Sequence, residues 1–366
     1  MSTAKLFRWS SFAYIAVTLL TAPAMAQTTG NTTARNAYQS KVLVSNGSVA
    51  SSSTDTNLIN GWGLAFPPEG FAWVNAEGTG KALVFDGTGK PQSIVVTIPG
   101  IGGAASNPTG IVFSGGMDFV VNNGTTNAPA RFLFATNNGT IAGWSPDVDA
   151  TNAVTAVDNS SQGAVYTGLA LSGNGTTHLI YAANFSKARV DVFDGTFKSV
   201  DVPGGFKDPQ MPTQYAPFGI QAIDGDIYVT YAKQAEAGSG DETHGAGLGV
   251  VNVFDPQGNL IRRIASNGPL NAPWGIALAP ASFAGLGGTL LIGNLGDGTI
   301  HAYDLHTGKS LGALNGADNK PLVVDGLWGL QFGNGVSSQP TNSLFWAAGP
   351  NDEKDGAFGV ITPVSQ

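Results

Sequence analysis

The stretch Pro273-Trp274-Gly275-Ile276-Ala277-Leu278 decides the fold, because the chain repeats its pattern of an apolar residue, a glycine and an aliphatic residue. A strand ending in Asn294 and another ending in Tyr303-Asp304 follow this copy. The copies recur at an interval of roughly 50 residues. The others begin Gly61-Trp62-Gly63-Leu64, Pro108-Thr109-Gly110-Ile111, Tyr166-Thr167-Gly168-Leu169, Pro217-Phe218-Gly219-Ile220 and Leu327-Trp328-Gly329-Leu330.

This interval is typical of the blades of a β-propeller, in which short strands surround a central channel. The sixth unit has only the strand at Phe358 to Ile361 after its second strand, while Tyr38 to Val44 forms a lone strand before the first unit. Pairing the two segments would close the ring and cover an exposed edge. The sequence therefore predicts an all-β, six-bladed propeller with four-stranded blades, closed by an N-terminal strand.

The repeated glycines and aromatic residues have a structural interpretation. A glycine at one position in every unit indicates close approach of the inner strands at the narrow centre. The aromatic residues beside four of these glycines are predicted to pack between neighbouring blades; they are Trp62, Phe218, Trp274 and Trp328.

Composition and charge narrow the possible functions. Glycine accounts for 51 of 366 residues and charged residues for only 11%, which suits strands joined by tight turns. The absence of cysteine excludes disulfides, thiolate metal sites and cysteine nucleophiles. A net charge of −8 argues against binding to nucleic acid.

The first 26 residues are predicted to be a signal peptide. Lys5 and Arg8 precede an apolar stretch from Phe12 to Leu20, and Ala24-Met25-Ala26 is a small-residue cleavage site. The apolar stretch is about half of the ~20 residues that a membrane-spanning helix needs. We therefore expect an exported protein, periplasmic or extracellular, whose residues 27–366 form one propeller domain. We expect the mature chain to be a monomer with no membrane span.

Several longer segments carry a resemblance to known proteins. The run from Gly275-Ile276-Ala277 through Asn294 to Tyr303-Asp304 resembles the NHL repeat of six-bladed propellers. Over nearly the whole mature chain the sequence is similar to a family of uncharacterised exported bacterial proteins. The segments that carry this similarity are 36–39, 139–146, 215–221 and Gly349-Pro350-Asn351-Asp352-Glu353. The family implies the fold and export, but no activity.

The ends of the second strands supply the candidate ligand site. If the repeats align as above, these residues surround the channel at one mouth. They are Asn75, Asn122, Asn184, Tyr231 and Asn294. Hard oxygen ligands that converge from different blades suit Ca²⁺. The predicted metal ligands are therefore Asn75, Asn184 and Asn294, with Glu77 and Asp297 adding charge. The alternative is that the asparagines satisfy backbone groups at turns and strand ends.

Three functional classes remain open. They are a binding or scaffold propeller that holds a small molecule or protein at the channel mouth, a small-ligand receptor, and a calcium-dependent hydrolase of lactones or esters. Six-bladed calcium lactonases resemble the chain in fold class only, so no catalytic residue is assigned. Hydrolase chemistry lacks a Gly-x-Ser-x-Gly motif and a helical His-x-x-x-His pair. Glu242 and His244 fall in an acidic loop predicted to be solvated.

Overall fold

The computed structural model describes residues 37–173 and 177–364, and within these ranges the fold is six antiparallel sheets arranged as blades. Blade 1 contains Gly61–Ala65, Ala72–Ala76, Lys81–Phe85 and Pro91–Thr97. Blade 2 contains Pro108–Phe113, Phe132–Thr136, Thr140–Trp144 and Val154–Asp158. Blade 3 contains Tyr166–Gly173, His178–Asn184 and Arg189–Asp194. The predicted signal peptide lies outside the described residues.

The remaining blades follow the same order. Blade 4 contains Tyr215–Ile223, Asp226–Gln234, Val250–Phe254 and Leu260–Ser266, with Glu242–Thr243 paired to the end of its second strand. Blade 5 contains Pro273–Leu278, Thr289–Asn294, Ile300–Asp304 and Ser310–Ala313. Blade 6 contains Leu327–Phe332, Leu344–Ala348, Ala357–Pro363 and Tyr38–Ser45, and Ser53–Thr54 extends it. Single-turn 3₁₀ helices occupy Glu77–Thr79, Ile101–Gly103 and Ser160–Gln162.

The predicted closure of the ring is confirmed. Tyr38–Ser45 pairs antiparallel with Ala357–Pro363, with Lys41 opposite Val360. Tyr38 is buried, and its hydroxyl donates a hydrogen bond to the carbonyl of Ala284 in blade 5 at 2.5 Å. The first strand of the described chain therefore joins the last blade and also touches its neighbour.

The glycines of the repeat lie where neighbouring inner strands meet. A Cβ atom on Gly275 would lie 2.7 Å from the carbonyl oxygen of Trp328 in the next blade. One on Gly329 would lie 2.6 Å from the carbonyl oxygen of Trp62 in blade 1. Real Cβ contacts are longer than this, so the ring can be this narrow only with glycine here.

Blade 2 differs from the prediction in the position of its second strand. The predicted strand from Met117 to Asn122 is instead part of a separate hairpin, in which Val120–Asn122 pairs with Asn127–Pro129. Phe132–Thr136 takes the place beside the inner strand. The placement of Asn122 at a second-strand end is therefore wrong. The segment from Met117 to Asn122 is as long and as apolar as a blade strand, so the local sequence does not reveal the difference.

Blade 3 has three regular strands among the residues described. Its outer position is covered by an irregular segment in which the Val200 N–H donates to the carbonyl of Val192 at 2.8 Å. Side chains of Val202, Phe206 and Met211 pack over this edge. None of the described residues forms a helix long and apolar enough to cross a membrane.

Candidate functional site

Aromatic side chains from four blades meet at the centre of the ring. Trp62 stacks on Trp328 with ring centroids 3.6 Å apart, and Trp274 meets both rings edge-on. Phe218 contacts Trp328 across the ring from blade 4, at 5.6 Å. We call these four residues the axial plug. They lie near the starts of the inner strands and close the channel there; the sequence predicted that they pack between neighbouring blades.

Asn60 joins the axial plug to two carboxylates above it. The indole N–H of Trp328 donates to Oδ1 of Asn60 at 3.0 Å. An indole is only a donor, so this bond fixes which end of the amide faces the ring. The amide Nδ2 then points outward and donates to Glu77 and Glu353, each at 3.2 Å. Asn60 itself has a positive φ of 48°.

Glu77 lies just after the second strand of blade 1 and is surrounded by amide donors. Besides Asn60, Nδ2 of Asn107 donates to its Oε1 at 2.6 Å and Nδ2 of Asn137 does so at 3.3 Å. Asn107 and Asn137 belong to blade 2. The Glu77 carboxylate therefore ties the first two blades together at this end of the channel.

Glu353 is presented by a backbone turn of unusual shape. Asn351, Asp352 and Glu353 all have positive φ, at 59°, 52° and 64°. Residues other than glycine rarely adopt a backbone conformation with positive φ, and it costs free energy at each residue. The turn is held by hydrogen bonds from the Asn351 N–H to Asp325 and from Asn46 Nδ2 to Asp355. The surrounding structure thus holds a strained segment in place, and this segment positions the carboxylate of Glu353.

The environment of Glu353 makes it a group that titrates near neutral pH. Burial of the carboxyl raises its pKa to about 7, and the negative charges of Glu242 and Glu77 add to this effect. The residue as a whole is exposed, while its carboxyl end reaches down to the buried amide of Asn60. Glu353 can therefore exchange a proton under physiological conditions.

A histidine from blade 4 completes the cluster. Glu242 and His244 follow the second strand of that blade, and His244 Nε2 lies 3.0 Å from Glu242 Oε1. The hydrogen bond to Glu242 raises the pKa of His244 against the opposing effect of burial, and the charges of Glu353 and Asp297 act in the same direction as Glu242. We call Asn60, Glu77, Glu242, His244 and Glu353 the acidic mouth.

The buried asparagines of the predicted site hold strands and turns together. Asn75 donates to the carbonyl of Thr109 in blade 2 at 2.9 Å, and its Oδ1 has no partner among the described residues. Asn184 donates to Asp191 at 2.7 Å. Asn294 donates to the carbonyl of Pro269 at 2.8 Å and accepts from the Asn271 N–H. All three are fully buried. Their role as ligand groups stays a prediction.

Of the other two members of the predicted ring, Tyr231 keeps the expected strand position, opposite Pro217 as Asn294 is opposite Pro273, whereas Asn122 does not. Asn122 is exposed, and its Oδ1 accepts a hydrogen bond from the N–H of Gly124 within the extra hairpin. Tyr231 is buried in the core between blades 3 and 4, and this burial raises the pKa of its phenol. Asn122 therefore does not belong to the ring of second-strand ends.

The two predicted carboxylates lie near the acidic mouth. Glu77 belongs to it, and Asp297 interacts electrostatically with His244. Asp297 also accepts from Nδ2 of Asn271, whose Oδ1 accepts from the N–H of Gly245 beside His244. Within residues 37–173 and 177–364, no three His, Cys, Asp or Glu side chains are arranged to hold a metal ion together.

A cavity of about 740 Å³ lies at the outer rim between blades 2 and 3. It contains a hydrogen bond between His178 Nδ1 and Asp118 Oδ2 at 2.8 Å, with Met117 exposed beside it. This pair draws on two neighbouring blades only and is open to solvent. The acidic mouth, in contrast, combines side chains from blades 1, 4 and 6 with the amides of blade 2.

The closed ring and its axial plug define the chain as a six-bladed β-propeller. It belongs to the family of Uncharacterized protein R648 of Acanthamoeba polyphaga mimivirus, with 31% identity over 325 residues that cover 87% of this chain and 78% of the relative. Uncharacterized protein L690 of the same virus is 29% identical, over 87% of this chain and 84% of its own. No protein-family model matches the sequence.

Solved structures of the same fold share little sequence with the chain. The soluble aldose sugar dehydrogenase of Escherichia coli superposes with a TM-score of 0.53 at 12% identity, covering 89% of this chain and 100% of that one. A catalytically inactive virginiamycin B lyase from Staphylococcus aureus with quinupristin gives 0.50 at 12% identity, covering 89% and 99%. At this level of identity the likeness concerns the fold alone.

Proposed function

We propose that the protein is an exported binding propeller that holds a polar small molecule at the acidic mouth. The observation that carries this proposal is the meeting of Glu77, Glu242, His244 and Glu353 from three blades directly above a sealed channel. Loops that are far apart in sequence reach one point on the axis. Because the plug closes the channel below, a ligand would rest on this end rather than pass through.

The chemistry of the mouth favours a ligand that donates hydrogen bonds. Carboxylates are acceptors, and the cluster opposes three of them with a single histidine. A strained turn that exists to hold Glu353 in place supports a functional role for this carboxylate, since such strain is concentrated at functional sites. A ligand with an amino or hydroxyl group fits this arrangement best.

The test uses 2-aminoethanol and acetate as probes in titrations followed by NMR. We expect 2-aminoethanol to shift signals of the acidic mouth and acetate to shift none. Glu353→Gln should weaken the binding, whereas Glu69→Gln, an exposed carboxylate in the turn between the first two strands of blade 1, should not. Equal binding by both variants would contradict the proposal.

Acid–base catalysis is the second candidate function. Glu353 and His244 both have raised pKa values, and neighbouring groups of these two kinds can act as acid and base in one reaction. This supports the alternative of a lactonase- or esterase-like hydrolase. Hydrolysis of dihydrocoumarin or 4-nitrophenyl acetate should then change with pH around 7 in the unmodified protein and lose that change in Glu353→Gln.

A test for Ca²⁺ would separate a calcium-dependent hydrolase from one that acts through Glu353 and His244 without a metal. The predicted Ca²⁺ ligands are buried asparagines that already bond to protein groups, so binding would require them to exchange partners. A calorimetric titration with Ca²⁺, with a chelator-treated sample as the reference, tests this directly. Binding heat that is lost on replacing Asp297 would favour a calcium site. If no binding heat is seen in the unmodified protein, metal-free hydrolysis and ligand binding are the functions that remain.

The cellular location is part of the proposal. The apolar N-terminal stretch and the Ala24-Met25-Ala26 site support export to the periplasm or beyond. The similarity to exported bacterial proteins supports the same location, although the relatives found by comparison are viral. The function that we propose for the acidic mouth is the binding of a polar ligand outside the cytoplasm.

A further inference from the structure

The end of the channel opposite the acidic mouth is an open, apolar cavity of about 260 Å³. It lies where the inner strands end, and side chains from five of the six blades line it. The main contributors are Phe66, Phe113, Leu171, Gln221 and Gln331. No charged side chain lines it among the residues described. We call this cavity the apolar mouth.

The apolar mouth is a closed-ended funnel. Beyond it the channel narrows to a space of about 20 Å³, roughly enough for one water molecule. The aliphatic residue that follows the glycine in each repeat surrounds this neck; these residues are Leu64, Ile111, Leu169, Ile220, Ile276 and Leu330. The axial plug lies at the far end. A molecule that entered would therefore rest in the cavity without passing through the channel.

Two amides in the apolar mouth have no structural task. Gln221 in blade 4 and Gln331 in blade 6 stand at the same repeat position, two residues after the glycine. The other blades have small or apolar side chains there, namely Ala65, Val112, Ala170 and Ala277. Neither glutamine makes a side-chain hydrogen bond to any residue that the structure describes. Their donors and acceptors are thus available to a ligand.

We propose that the apolar mouth is a second binding site, which takes an uncharged, largely apolar small molecule bearing a hydroxyl, carbonyl or amide group. The lining offers contact area to the apolar part and two amides to the polar group, a combination typical of small-molecule sites. A charged ligand would lose its hydration without gaining an opposite charge, so the site rejects it.

The test compares benzyl alcohol, benzoate and benzylammonium, three probes of similar shape that differ in charge. Each is titrated into the full-length protein and followed by NMR. We expect benzyl alcohol to shift signals of the apolar mouth, with weaker or no effect from the two ions. Preferential binding of either ion at this mouth would overturn the proposal.

Variants then test the role of the amides. Gln221→Leu and Gln331→Leu keep the size of the side chain and remove its hydrogen bonds, and each should weaken benzyl alcohol binding on the order of 3- to 10-fold. Gln257→Leu is the matched control, because Gln257 is half-buried in an outer turn of blade 4. Unchanged affinity in both mouth variants, confirmed folded by circular dichroism, would overturn the assignment. Glu353→Gln should leave this binding intact, which separates the result from that at the acidic mouth.

Discussion

Asn60 shows how one side chain can set the chemistry of a site. Its Oδ1 is held by the Trp328 indole, so its donors must face the carboxylates of Glu77 and Glu353. Burial of the Glu353 carboxyl raises its pKa, the negative charges of Glu242 and Glu77 add to this effect, and the hydrogen bond from Asn60 acts in the opposite direction. The plug and the proton-exchanging carboxylate are thus linked through a single residue.

We predict that protonated Glu353 stabilises the fold and that this contribution is lost as pH rises. Its folded-state pKa of about 7 exceeds the ordinary value of 4.5, so the folded protein binds this proton more tightly than the unfolded chain. The resulting stabilisation is complete below pH 4.5 and is lost as pH rises through 7. Relative to the unmodified protein, Glu353→Gln should therefore gain in melting temperature across this range.

The comparison is made by thermal melts at closely spaced pH values. Glu69→Gln serves as the control, and we expect the difference between it and the unmodified protein to stay constant over the same range. A melting-temperature difference for Glu353→Gln that does not depend on pH would show that the carboxyl titrates at its ordinary pKa.

We predict that Trp328 is essential to the stability of the ring. It is almost fully buried, and it contacts the other three members of the axial plug. Trp328→Ala should lower the free energy of unfolding by about 3–5 kcal/mol, as large cavities in a core do. Chemical denaturation measures this, and Trp328→Phe should lose less because an aromatic ring remains. An unaltered unfolding midpoint in Trp328→Ala would be inconsistent with a packed plug.

The closing strand gives blade 6 its outer edge, and its removal should open the ring. A chain that starts at residue 46 lacks Tyr38–Ser45 and leaves the edge of Ala357–Pro363 unpaired. We expect it to lose cooperative thermal unfolding and to aggregate, since exposed strand edges pair with other chains. A chain that starts at residue 37 is the matched control. Cooperative melting of the shorter chain near the control temperature would refute this role.

The repeated strands were predictable from sequence, whereas the insertions between them were not. A glycine with a following aliphatic residue marks every inner strand, because all six inner strands must approach their neighbours closely at the narrow centre of the ring. The hairpin at Val120–Asn122 and Asn127–Pro129 satisfies the same apolar pattern without joining the blade. Only its pairing partner distinguishes it, and pairing is not a local property of the sequence.

The acidic mouth escaped sequence analysis for a related reason. Glu77 was predicted as a site residue from its place after a strand, but His244 and Glu353 lie in loops that are longer than the equivalent loops of the other repeats. Both loops follow a second strand, at residues 235–249 and 349–356, and the first of them is unusually long. Loop length after that strand was the available signal. Their meeting depends on the closure of the whole ring.

For the molecule as a whole, the sequence predicts removal of a leader before Gln27. The positive start, the apolar stretch and the small-residue site are what signal peptidase requires. Expression in a bacterial host followed by N-terminal mass analysis of the periplasmic fraction should show a chain that begins at Gln27. Replacing Ala24 and Ala26 with larger residues should prevent the cleavage. Full-length protein confined to the cytoplasm would contradict export.

The pairing of Tyr38–Ser45 with Ala357–Pro363 also sets the order of events when the protein is made. Tyr38–Ser45 is synthesised long before Ala357–Pro363, so the ring cannot close until the later segment has been made. Contacts between such distant parts of a chain form slowly. Until then the edge of the closing strand has no partner, and we expect the incomplete ring to be open to pairing with other chains.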